Sequence, residues 1–382
     1  MKFTDLQLHN ELKRALQELN YEEPTPIQKQ AIPPGLKGQD VLGIARTGSG
    51  KTAAFLLPIL QRLNNVKAKP RKPKALIIAP TRELAIQITK SATEYGKYVS
   101  VRKTIIYGGV SQKPQVKDLR KGVELVVATP GRLLDLRNQG HIDFSDIDIF
   151  VLDEADRMLD MGFLPPVKKM IKQMPNNRQL LFFSATFSKQ LKKLANKLSN
   201  NPVHVDVSSK EIDTPDIEEN LLFVNTHNKK ELLKDVLNKD GVGLALVFTR
   251  TKRNTDKVNR YLKKHGYSST RIHGDRSQRQ RRTALNKFTN KEVRILVATD
   301  VAARGIDVDD VTHVINYELP QDSENYVHRI GRTGRAGNKG VALSLCAHHE
   351  VKRLKKIERL VDKQIPHKTH RFHSAKVMRK VR

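Results

Sequence analysis

The 382-residue chain has one cysteine, Cys346, no tryptophan and only 5% aromatic residues. A single cysteine excludes an internal disulfide and a zinc site built on paired cysteines. It suits a reducing compartment, so a cytoplasmic protein is expected. Sparse aromatics exclude base stacking as the main source of nucleic-acid affinity. No apolar run approaches the roughly 20 residues that span a bilayer, so no membrane association is expected. The opening MKFTDLQLHNELKRALQEL lacks an apolar h-region and predicts a capped amphipathic helix rather than a signal peptide. Acidic residues are also in short supply: 40 Asp and Glu face 70 Lys and Arg, a formal net charge of +30. Such a surplus is the footprint of a polyanion binder. Contacts to phosphate and sugar should dominate, and these hold a strand without reading its sequence.

What is present is an alternation of β-rich apolar runs with helical stretches. VLGIA (41–45), ALIIAP (75–80), TIIY (104–107), ELVVAT (124–129), IFVLD (149–153), LLFFSAT (180–186) and VHVDV (203–207) predict buried parallel strands. Polar SSKEIDTPDIEEN (208–220) interrupts the rhythm and reads as a linker. The pattern resumes with LLFV (221–224), LALVFTR (244–250), VRILVATD (293–300), HVINYELP (313–320) and VALSLC (341–346). The expected fold is therefore α/β, with two parallel-sheet domains in tandem over 1–207 and 221–346. Residues 347–382 are expected to form a helix and a basic tail. From Val351 to Arg382 there are 12 Lys and Arg against two acids, a composition typical of a flexible, polyanion-seeking segment.

IARTGSGKT (44–52) lies where a strand turns into a helix. Small residues let backbone N–H groups of Ala45, Arg46, Thr47, Gly48, Ser49 and Gly50 turn inward around phosphate oxygens, and the helix N-terminus adds its positive dipole end. Lys51 would reach the β- and γ-phosphates and the Thr52 hydroxyl would reach Mg²⁺. Ala45 departs from the glycine that the G-x-x-x-x-G-K-[ST] pattern places first. VLDEADRMLD (151–160) then crowds four carboxylates at the end of an apolar strand, the end at which open α/β sheets bind ligands. Asp153 would hold Mg²⁺ and Glu154 would orient and deprotonate a water. An NTPase that uses Mg²⁺ is the expectation.

Asp153-Glu154-Ala155-Asp156 also spells a signature, and other motifs stand in order around it. They are Phe3 with YEEPTPIQ (21–28), ARTGSGKT (45–52), PTRELA (80–85), GG (108–109), TPGR (129–132), DEAD (153–156), SAT (184–186), VFTR (247–250), HGD (273–275), ATDVAARGID (298–307) and HRIGRTGRAG (328–337). Over residues 3 to 346 the chain resembles the DEAD-box ATP-dependent RNA helicases, in the compact layout of RhlE-like bacterial members.

The resemblance implies two RecA-like domains, with Gln28 on the adenine edge and Phe3 and Tyr21 packed nearby. It implies that Arg332 and Arg335 act as arginine fingers and that Asp307 meets the ribose or those fingers. Asp156, Ser184, Thr186 and His328 would couple phosphate state to the domain interface. RNA would meet Arg82, Gly109, Thr129, Gly131 and Arg132 in the first domain, and Arg250, Gly274 and Thr299 in the second. The implied activity is RNA-stimulated ATP hydrolysis by a monomer that unwinds short duplexes or remodels ribonucleoproteins. An ATP-gated RNA clamp with little unwinding turnover uses the same residues and stays open as an alternative.

Overall fold

A computed structural model describes residues 1–45, 48–64, 72–207, 217–303, 308, 310–334 and 339–380. The chain divides into two compact units, Met1–Lys210 and Glu211–Arg382.

Unit 1 holds seven strands: β1 (Val41–Ile44), β2 (Ala75–Ile78), β3 (Lys103–Ile106), β4 (Leu125–Ala128), β5 (Ile149–Leu152), β6 (Gln179–Ser184) and β7 (Val203–Asp206). All pair in parallel, in the order β3-β4-β2-β5-β6-β1-β7. Its helices are α1 (Asn10–Glu18), α2 (Pro26–Leu36), α3 (Lys51–Asn64), α4 (Arg82–Tyr95), α5 (Lys113–Lys121), α6 (Pro130–Asn138), α7 (Ala155–Asp160), α8 (Leu164–Ile171) and α9 (Lys189–Leu198). The central strands are apolar without interruption because both faces are covered. Val127, Val151 and Phe183 point into one core, and their neighbours Val126, Phe150 and Phe182 point into the other. The helix expected over the N-terminal segment starts later. Phe3–Asp5 is one 3-10 turn, followed by extended residues, and α1 begins at Asn10.

Unit 2 has six parallel strands: β8 (Ile217–Phe223), β9 (Leu244–Thr249), β10 (Ser269–Ile272), β11 (Ile295–Thr299), β12 (Val311–Asn316) and β13 (Gly340–Cys346), ordered β10-β11-β9-β12-β13-β8. The helices are α10 (Lys229–Leu237), α11 (Lys252–Lys264), α12 (Gln278–Thr289), α13 (Asp300–Ala303), α14 (Glu324–Ile330), α15 (Val351–Val361) and α16 (Ala375–Met378). A buried ion pair locks α10 to the sheet ends. Lys229 Nζ meets Glu350 Oε2 at 2.5 Å and also donates to the carbonyls of Tyr317 and Leu345 at 2.7 and 2.8 Å. The second Glu350 oxygen accepts from Leu319 N at 3.0 Å, so both charges are fully hydrogen-bonded.

Two expectations change at the edge of this sheet. Strand β8 begins at Ile217, inside the segment 208–220 that composition assigns to the linker, and its polar IEEN stretch pairs with β13 on one side only. The C-terminal segment, through residue 380, is not a loose tail but packs on β8. Leu221 N donates to Pro366 O at 2.7 Å, Lys368 N to Leu221 O at 3.0 Å, and Ser374 N to Phe223 O at 3.0 Å. Its basic residues find acids of the same unit: Lys363 with Glu219 at 2.6 Å, Lys368 with Glu218 at 2.5 Å and Arg371 with Asp235 at 2.9 Å. Ile365 and Val377 are buried with Val351, Leu354 and Ile357. An open strand edge, with Glu218, Glu219 and Asp235 beside it, gives the basic segment its partners.

Candidate active site and nucleic-acid face

The end of β1 and the start of α3 carry the phosphate loop. Gly48 and Gly50 hold φ of +84° and +91°, a region open to glycine. A Cβ on Gly50 would also collide with the Gln28 amide, so that position admits nothing larger. Lys51 is buried, and its Nζ donates to Ala45 O at 2.5 Å, bridging the loop's two ends. Ala45 N donates to Ser184 O at 3.0 Å, which extends the β1–β6 ladder by one bond. Burial pushes the Lys51 ammonium below its ordinary range, and the negative field of Asp153, Glu154 and Asp156 opposes the shift. Thr52, half-buried, is the second residue of α3. Arg46 and Thr47 lie outside the described residues.

β5 delivers the acidic group. Asp153 is buried, and burial together with the neighbouring Glu154 pushes its carboxyl up to about 7, against the pull of Lys51. Its Oδ1 accepts from Glu154 N at 2.9 Å. Glu154 itself stands in left-handed backbone, φ 53° and ψ 51°, one residue before α7. A non-glycine residue held there stores roughly 1–3 kcal/mol, and such residues cluster at functional sites. Its carboxylate is 5% exposed and meets Arg157 Nη1 at 2.5 Å; Arg157 is 1% exposed. Sequence reasoning overlooked Arg157, because an arginine on a short helix reads as a surface residue. The carboxylate at i−3 was the only signal.

Asp156 closes the network. Its Oδ2 accepts from Ala185 N at 3.1 Å, Thr186 N at 3.0 Å and Thr186 Oγ1 at 3.2 Å. Ser184 Oγ accepts from Asp156 N at 3.2 Å and donates to Thr186 O at 2.6 Å. The acidic loop and the SAT segment therefore form one rigid constellation. His328, expected to couple with them, lies in unit 2.

The segment expected to read adenine lies against the phosphate loop. Phe3 and Tyr21 do pack, with ring centroids 5.8 Å apart. Gln28 is 2% exposed, and its amide serves the chain itself: Oε1 accepts from Thr25 N at 2.9 Å and Nε2 donates to Gly50 O at 3.1 Å. The residue expected on the adenine edge is here a capping group on α2 that reaches the phosphate loop.

The residues expected on RNA gather at the carboxyl ends of β2, β3 and β4. Arg82 opens α4 after β2, Gly109 follows β3, and Thr129 precedes α6 after β4, with Gly131 and Arg132 in its first turn. Gly109 has φ +78°, and a Cβ there would strike the Arg82 guanidinium. Arg132 Nη1 donates to Val110 O at 3.2 Å. These five share one rim; the phosphate-loop and carboxylate residues stand at β1, β5 and β6 of the same sheet end.

In unit 2, Arg250 and Gly274 are exposed and Thr299 is buried, at the ends of β9, β10 and β11. These are neighbours in the sheet. Arg332 is 3% exposed, with Nε donating to His328 O at 3.2 Å. Asp307 and Arg335 lie outside the described residues. A second overlooked arginine anchors this region. Arg329 grips Asp300 with Nε at 2.5 Å and Nη2 at 2.8 Å, and its Nη1 donates to Asn316 Oδ1 and Glu318 O at 2.9 and 2.6 Å. This bidentate pair sets α14, and with it His328 and Arg332, on the end of β11.

Two family profiles match: DEAD/DEAH box helicase over residues 25–194 and helicase conserved C-terminal domain over 228–337. The chain is 43% identical over 363 residues to the DEAD-box ATP-dependent RNA helicase CshA of Geobacillus kaustophilus, covering 95% of this chain and 77% of that protein. This chain belongs to the DEAD-box ATP-dependent RNA helicases. It is 41% identical to RhpA of Helicobacter pylori, over 95% of this chain and 73% of that one. The solved structure of Saccharomyces cerevisiae Dbp5 bound to RNA and ADP BeF3 superposes with a TM-score of 0.87 at 31% identity, covering 96% and 95% of the two chains. The helicase is thus an ATP-dependent enzyme on two RecA-like α/β sheets. Among its described residues, no helix is long and apolar enough to cross a membrane.

Proposed function

We propose that the helicase couples RNA-stimulated ATP hydrolysis to local, non-processive separation of short RNA duplexes or remodelling of ribonucleoproteins, through closure of its two units on ATP and RNA. The observation that carries this reading is the Asp156–Ser184–Thr186 network. It ties the loop that bears Glu154 to the SAT segment by three hydrogen bonds into one carboxylate oxygen. A displacement at the nucleotide phosphates is then felt directly at SAT.

Lys51 and the backbone of 45–50 bind the phosphates, Glu154 takes the proton of the attacking water, and Arg157 holds that carboxylate in place. The Asp153 carboxylate and the Thr52 hydroxyl, oxygen donors beside the phosphate loop, fit Mg²⁺, which prefers carboxylate, hydroxyl and water. When bound, Mg²⁺ neutralises phosphate charge. Arg332 and Arg335 serve as fingers from unit 2, Asp307 serves the ribose or those fingers, and His328 joins the coupling set. Gln28 selects adenine after exchanging its partners at Thr25 and Gly50, while Phe3 and Tyr21 pack nearby. RNA phosphates and 2′-hydroxyls meet Arg82, Gly109, Thr129, Gly131, Arg132, Arg250, Gly274 and Thr299. Each duplex step costs on the order of 1.4 kcal/mol to open, by analogy with DNA stacking, so one closure separates only a few pairs. The protein acts as a monomer, and the lone buried thiol of Cys346 suits the cytoplasm.

The test is the ATPase rate with no nucleic acid, with RNA and with DNA of matched sequence. RNA should raise the rate and DNA should leave it near the unstimulated value, because the 2′-hydroxyl is part of the recognition. Equal stimulation by DNA contradicts the reading.

A further inference from the structure

Beyond the residues already placed, unit 1 carries an open cationic groove of about 470 Å³ along α5, with His141 also in its lining. Lys113, Lys117, Arg120 and Lys121 line it and are exposed. Their spacing of i, i+4, i+7 and i+8 puts all four on one helix face. Over that interval the helix rises about 12 Å, enough for more than one phosphate.

A row of lysines on a convex helix is ordinarily a solvated face, and α9 has one. The α5 row differs in two respects. Its residues line a concavity, and the acids nearby are engaged elsewhere. Asp118 turns away to accept from Thr104 Oγ1 at 3.1 Å, Glu124 pairs with Arg102 at 2.6 Å, and Asp135 serves Gln139 and Arg132 at 2.9 and 3.6 Å. Among the described residues none of the four cations has a carboxylate partner. The groove also starts where the RNA rim ends. Gln112, at its mouth, follows the Gly108–Gly109 turn by three residues and is pinned to Gln139 at 2.8 Å, while Val110 between them is held by Arg132.

We infer that the α5 groove is a further phosphate-backbone site that takes RNA flanking the stretch held by the rim. It deepens the RNA reading above and rests on it. The ligand is a polyribonucleotide, recognised by charge without regard to sequence.

The test uses the full chain, with Lys113→Gln, Lys117→Gln, Arg120→Gln and Lys121→Gln combined. Three oligouridylate probes are titrated across a salt series in the presence of a non-hydrolysable ATP analogue: a short one, the same extended at its 5′ end, and the same extended at its 3′ end. Binding of the short probe by the unsubstituted protein checks the underlying reading independently. Each phosphate neutralised on a single strand contributes about 0.7 to the slope of log affinity against log salt. Loss of two to three such contacts should flatten the slope by about 1.4–2 on one extended probe. Between 50 and 200 mM salt that is on the order of a tenfold difference. The short probe should bind the variant as it binds the unsubstituted protein. Unchanged slopes on both extended probes would overturn the inference. An equal loss on the short probe would put α5 inside the rim's own footprint and overturn it too.

Discussion

Glu154→Gln lowers the turnover of RNA-stimulated ATP hydrolysis by about 10²–10⁴-fold, the usual worth of a positioned general base, while ATP and RNA still bind. The substitution has a second consequence that a purely chemical view misses. Arg157 is 1% exposed and meets Glu154 at 2.5 Å, so the amide leaves a buried guanidinium without its counter-charge. Removing one member of a buried pair costs roughly 3–5 kcal/mol. Gln keeps one acceptor for Arg157, so the lower end is expected, about 6 °C or more in the melting of unit 1. Adding Arg157→Gln should recover most of that stability and none of the turnover. Thermal denaturation and steady-state ATPase on the single and double variants separate the two effects. Turnover near the unsubstituted value would remove Glu154 as the base; an unchanged melting temperature would mean that the ion pair stabilises nothing.

Deleting residues 362–382 destabilises unit 2 and leaves unit 1 intact. The segment supplies three backbone hydrogen bonds to β8 and buries Ile365 and Val377. Full burial of an Ile and a Val is worth roughly 1.5–3 kcal/mol each. The loss of about 3–6 kcal/mol should lower the unit 2 transition by on the order of 10 °C. The uncovered β8 edge would also favour association through strand pairing, seen as a rise in light scattering. The composition of the segment alone suggests that its removal costs only RNA affinity. A melting curve indistinguishable from that of the full chain would support that simpler picture over the packed one.

The parts of the fold that sequence revealed share a physical trait. Central strands such as IFVL and LLFF must be apolar on both faces, and the phosphate loop must carry glycines where φ is positive, so both leave a mark on the residues themselves. What escaped lies at sheet edges and in long-range pairings. β10, three of whose four residues are polar, is an edge strand, and so is β8, whose IEEN half with its two glutamates reads as linker. An edge strand needs only one covered side, and the partners of Glu218 and Glu219 stand over 140 residues away at Lys368 and Lys363. The candidate site divides in the same way. Lys51, Asp153, Glu154 and Asp156 follow from their motifs. The positioning arginines do not, because the carboxylate that justifies burying Arg329 is Asp300, on another element.

The central claim is that the machinery for hydrolysis is split, with Lys51 and Glu154 in one unit and the arginine fingers in the other. Residues 1–207, produced alone, should bind ATP but show no RNA-stimulated turnover. If that fragment hydrolysed ATP at the rate of the intact chain, the split arrangement and the closure built on it would both be contradicted.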